Sequence, residues 1–117
     1  MFALVRLLFA LLALTPVVVR TQRVPGSETL TETDITFDNS YEAEGEPVTA
    51  AELGLRRVNA GWCNLKNGSE AEATPVSSAW FDPVAMKLHL NNAKTSKELA
   101  GAADASKVVV RVFALGK

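Results

Sequence analysis

The sequence predicts a single, mainly β domain, a β-sandwich or small barrel with one or two short helical turns, preceded by an apolar N-terminal arm. Three observations carry that prediction. Apolar residues recur with period two over most of residues 15–117. Gly, Pro, Asn and Asp clusters separate the runs at short intervals. A chain of 117 residues with 48% hydrophobic content is long enough for one core. The division expected is an arm over residues 1–14 and a β domain over 15–117.

The elements follow in order. Val17 to Val24 is rich in β-branched residues and stops at Pro25-Gly26, a turn signal. From Glu28 to Asp38, Thr29, Thr31, Thr33, Ile35 and Phe37 share one face, and Glu28, Leu30, Glu32, Asp34 and Thr36 the other. Residues 39–47 read as an acidic loop. Thr49-Ala50-Ala51-Glu52 spells a capping box, and Gly54 suits the left-handed stop of one short helical turn. Strand spacing resumes from Leu55 to Leu65, with Val58, Ala60 and Trp62 on one side; Asn67-Gly68 opens a longer loop. Pro75–Phe81 and Val84–Leu90 form a hairpin about Asp82-Pro83, the second strand placing Lys87 and His89 opposite Val84, Met86, Leu88 and Leu90. Thr95-Ser96-Lys97-Glu98 is a second capping box, opening a short alanine-rich helix that ends near Gly101. Lys107 to Leu115 is apolar on nearly both faces, which places it centrally in its sheet.

Charge is balanced overall and uneven along the chain. Twelve Lys and Arg against thirteen Asp and Glu leave −1, so no basic field recruits nucleic acid. Residues 1–27 carry +3, residues 28–52 carry −8 with no base, and residues 53–117 carry +4. Such blocks either pair within or between copies or remain solvated, where exposed pairs contribute only about 0–1 kcal/mol each.

Residues 1–14 contain thirteen apolar side chains and one charge, Arg6. As a secretory signal the segment lacks a basic start, is interrupted by Arg6 and has no small-x-small site after it. As a membrane span it is broken by Thr15-Pro16 before the about 20 apolar residues a bilayer requires. An apolar run of this size needs a cover, and three remain open: a protein partner, a membrane or secretory role, and a place in the chain's own core. The first makes Phe2, Leu4, Leu7, Leu8, Phe9, Leu11 and Leu12 partner-binding residues.

Little in the sequence carries chemistry. One cysteine, Cys63, forbids an internal disulfide, and a single histidine, His89, leaves most histidine-based sites unbuildable. A nucleophilic Cys–His pair needs an orienting third group; a buried inert thiol and a solvent-facing imidazole are expected instead. Oxygen donors alternate between Asp38 and Glu46, but without the spacing of the twelve-residue calcium loop. Asn67-Gly68-Ser69 matches a glycosylation acceptor, a pattern common by chance. No catalytic residue, metal ligand or cofactor site is expected.

Asp34-Ile35-Thr36-Phe37-Asp38-Asn39-Ser40-Tyr41, then Gly45-Glu46-Pro47-Val48-Thr49, then Glu52-Leu53-Gly54-Leu55 resembles a pattern in small virion structural proteins of tailed bacteriophages, as does the terminal Val109–Lys117 stretch. The likeness covers roughly residues 17–65 and 107–117; the segment before Thr15 departs from it. The resemblance implies a non-enzymatic head protein, a decoration or cement protein that binds and stabilises the assembled shell. In it Phe37 and Tyr41 would anchor a corner and Gly54 would permit a turn. It further implies the capsid surface as location, after assembly in the host cytoplasm. The implied partners are the major capsid protein or other virion subunits and further copies of the chain, a trimer being the expected oligomer. Neither nucleic acid nor a membrane is expected as partner. The alternative is a secreted or membrane-anchored β-sandwich binding module, with residues 1–19 as signal or anchor.

Overall fold

The computed structural model describes residues 14–38, 40–42, 44–69, 75–95, 97–99, 101 and 103–117, and within them the chain is mainly β, in two antiparallel sheets. β1 (Leu14–Val24) and β2 (Glu28–Phe37) form a hairpin through Pro25-Gly26-Ser27. The two-residue β3 (Glu46–Pro47) follows, then β4 (Val58–Asn67), β5 (Val76–Asp82), β6 (Lys87–Asn92) and β7 (Val109–Gly116). The larger sheet has the order β1-β2-β7-β4, the smaller β3-β6-β5. The terminal strand is central as expected, flanked by β2 and β4. Six strands were expected; the seventh, β3, lies in the acidic loop.

Alternation decides which face each strand buries. On β2, Thr31, Thr33, Ile35 and Phe37 point inward, and on β7 Val110, Val112 and Ala114 do so. Val76, Phe81, Leu88 and Leu90 meet them from the smaller sheet, and Tyr41, Val48, Leu53, Leu55, Leu99, Ala105 and Val108 close the core from the connections. Leu14, the last residue of the expected arm, opens β1 opposite Phe37 and is itself buried.

Four expectations are corrected. At the first capping box the reciprocal bonds form, Thr49 N–H donating to Glu52 Oε1 (2.9 Å) and Glu52 N–H to Thr49 Oγ1 (3.1 Å), yet residues 50–54 make only a turn. Gly54 stops it at φ 78°. At the second box no helix exists among the described residues: Glu98 bridges to Asn91, and its carboxylate turns to other partners. The strand expected from Val84 begins at Lys87, because the Asp82 carboxylate accepts from the amides of Val84 and Ala85 and draws them into the turn. On β4 an irregularity between Val58 and Ala60 reverses the pleat, so Val58 packs on the core while Ala60 and Trp62 face outward.

Candidate functional site

The corner after β2 gathers Tyr41, Glu46, His89 and Glu98 into one polar cluster. The chain leaves Phe37 and is fastened to the segment before β7, with Tyr41 N–H donating to Ala103 O (2.8 Å) and Ala105 N–H to Asp38 O (3.0 Å). The Phe37 and Tyr41 rings lie 6.2 Å apart, and both are buried. The Tyr41 hydroxyl accepts from Leu90 N–H (3.1 Å) and donates to Glu98 Oε1 (2.8 Å). Burial, with the Glu98 carboxylate beside it, holds this phenol well above its ordinary range, so it remains a donor. The same Glu98 oxygen lies 2.7 Å from His89 Nδ1.

His89 is therefore no solvent-facing imidazole. It is 8% exposed, with the Trp80 ring stacked on it at 3.8 Å and 3° and the backbone of Gly45 against it. Burial under a half-exposed tryptophan explains the reversal: the outward face of β6 is covered by the chain at Gly45 and by Glu98. Nor is the acidic loop wholly solvated. Glu46 is 2% exposed and accepts from Glu42 N–H at 2.8 Å. Burial pushes its carboxyl up to about 7; the Glu42 amide opposes the rise, and the neighbouring charges of Asp38 and Glu42 add to it.

The arrangement fastens loops; it does not assemble a nucleophile. Cys63 packs against the core from β4, in register with Val112, and burial raises its thiol to about 11. His89 lies on the opposite side of the other sheet's pleat from the buried Leu88 and Leu90, so the two are not brought together. Among the described residues no group of three or more His, Cys, Asp or Glu side chains is placed to hold a metal ion. Among them too, no helix is long and apolar enough to cross a membrane.

The second feature is the outer face of the larger sheet. Its registers align Arg20, Glu32, Phe113 and Trp62 in one row across all four strands. Trp62 is half exposed and stacks on Phe113 at 5.2 Å and 6°, with Leu30, Leu115 and Ala60 in the next row. In the row on the other side Asp34 receives Arg111 Nε (2.7 Å) and Nη2 (3.1 Å), and Lys66 Nζ (2.6 Å). The Arg111 hydrogen bond leads in lowering the Asp34 carboxyl to about 2. Part of the acidic block is thus neutralised inside the chain by the basic C-terminal block.

No protein-family model, no curated protein and no solved structure matches the chain.

Of the residues singled out in the sequence, Phe37, Tyr41 and Gly54 fall within one corner and its following turn. Gly54 lies over the inner side of the hairpin, where a Cβ would come within 3.3 Å of Val18 Cγ2. Phe2, Leu4, Leu7, Leu8, Phe9, Leu11 and Leu12 lie outside the described residues. Sequence reasoning missed Glu46, Glu98 and the Asp34–Arg111 pair. One signal existed: Arg111 is the single charge in the otherwise apolar β7, and Asp34 lies on the polar face of the alternating β2.

Proposed function

We propose that this chain is a non-enzymatic structural protein that binds and stabilises an assembled protein shell, a head decoration or cement protein of a tailed bacteriophage. The corner carries the reading. The stretch that resembles phage virion proteins ends a strand at Phe37, buries Tyr41 and reaches Gly54 at a positive φ, so its distinctive residues each do structural work. The polar side chains gathered there, Tyr41, His89, Glu98 and Glu46, are engaged in holding that corner. In this reading the apolar segment before Leu14 grips the shell or a neighbouring subunit, and the folded body docks beside it.

The alternative module requires residues 1–19 to be a removable signal or an anchor. Cleavage after Val19 would take six of the eleven residues of β1, a strand paired with β2 from Leu14 to Val24. That loss weighs against removal at this point.

The test is deletion of residues 1–13, which spares the buried Leu14. Ordering an apolar arm costs about 1–2 kcal/mol per residue, close to what burying its side chains returns. Arm and body are therefore both needed for attachment. The truncated chain should remain folded by circular dichroism but fail to co-sediment stably with empty phage heads. Undiminished co-sedimentation defeats the arm; binding by neither form to any head defeats the decoration reading.

A further inference from the structure

The row Arg20–Glu32–Phe113–Trp62 has unlike ends. At one edge of the sheet, on β1, Arg20 is exposed, and its hydrogen bond is to Gln22 of the same strand (3.3 Å). At the other edge, on β4, Trp62 lies against Phe113 and keeps half of its surface open. Three strand spacings of about 4.8 Å separate the two by about 14 Å. A two-fold axis parallel to the strands and midway between β2 and β7 exchanges these edges. A guanidinium over an indole face is a favourable contact, and an isologous pair makes it twice.

We propose that the outer face of the four-stranded sheet pairs two copies of this chain, each Arg20 lying over Trp62 of the second copy. The rest of the face is suited to a copy of itself. Its acids Glu28, Glu32 and Asp34 on β2 are matched by Arg20, Arg111 and Lys66 on the other three strands, so two such faces meet without net repulsion. Leu30, Leu115 and Phe113 on the two middle strands run on to Trp62 at the edge, an apolar band with charged side chains beside it. Four strands about 19 Å wide and about eight residues long enclose about 500 Å². A standard stable complex uses about 800 Å² per partner, so this pairing is a concentration-dependent equilibrium. It is a two-fold association, in place of the trimer that the resemblance implies, and it does not rest on attachment to a shell.

Sedimentation equilibrium of the full chain between micromolar and millimolar concentration tests it, with no capsid present. Arg20→Ala and Trp62→Ala should each weaken dimerisation about tenfold, while Val84→Asp, on the exposed turn before β6, should not. The decisive measurement mixes the two weakened variants. A mixed pair regains one Arg20–Trp62 contact that neither variant can make with itself, so the mixture should associate more tightly than either alone. Arg20→Ala removes an exposed side chain and leaves the fold intact, which keeps the test valid if Trp62→Ala loosens β4. A chain that stays monomeric throughout, as it would if another protein or a glycan covers this face, overturns the proposal. So does a mixture no tighter than its components.

Discussion

Gly45 lies flat against the imidazole of His89: a Cβ at this glycine would come within 2.7 Å of His89 Cε1, and its φ is 107°. With Trp80 on the ring as well, His89 is fixed between the loop and β5. Gly45→Ala therefore adds a steric conflict to a backbone conformation that side chains rarely adopt. Thermal unfolding should show a loss of at least about 1–2 kcal/mol. An unchanged melting temperature would mean that the loop does not pack on His89.

Tyr41 ties a corner to a strand 49 residues away by accepting from Leu90 N–H. Tyr41→Phe keeps the ring beside Phe37 and leaves that amide without its acceptor. The expected cost is about 1–3 kcal/mol in urea unfolding, with Phe37→Leu as a packing comparison. A loss within error of zero would place another acceptor at Leu90.

Two carboxyls give the stability opposite dependences on pH. Glu46 has a folded pKa raised from 4.5 to about 7, so the stability it lends is full below pH 4.5 and is lost as pH rises through about 7. Glu46→Gln should stabilise the domain at pH 8 relative to wild type and make little difference at pH 4. Asp34 is lowered from 3.8 to about 2; its contribution is present above pH 3.8 and lost as pH falls through about 2. Asp34→Asn should cost about 1–2 kcal/mol at pH 7 and progressively less as pH falls toward 2. Denaturant midpoints across pH 2–8 separate the two, and parallel curves for either variant would refute its assignment.

Thr31 and Thr33 are fully buried on β2, and neither hydroxyl has a hydrogen-bond partner among the described residues. An orphan hydroxyl in a core costs free energy that a methyl of similar shape does not. Thr33→Val should therefore raise stability by up to about 1 kcal/mol, read as a higher denaturant midpoint at unchanged slope. A clear loss would show that the hydroxyl is satisfied in solution.

Much of the fold was written locally. The alternation from Glu28 to Asp38 put Thr31, Thr33, Ile35 and Phe37 on one face, the face that packing buries, and the doubly apolar Lys107–Leu115 run put the last strand at the middle of its sheet. Pro25-Gly26 and Asp82-Pro83 marked real turns, and Thr49 with Glu52 made the reciprocal bonds that their spacing foretold. Such features depend on side-chain periodicity and on neighbours within a few residues, so one strand's sequence is enough to specify them. The division into two sheets, the burial of His89 and Glu46, the outward turn of Trp62 and the bond from Arg111 to Asp34 were decided otherwise. Each depends on which distant segment arrives opposite: Glu98 is drawn from its own capping box by Tyr41, 57 residues before it, and Arg111 reaches Asp34 across 77 residues. A polar side chain takes the partner that desolvation makes it need, and only the packed chain brings that partner within reach.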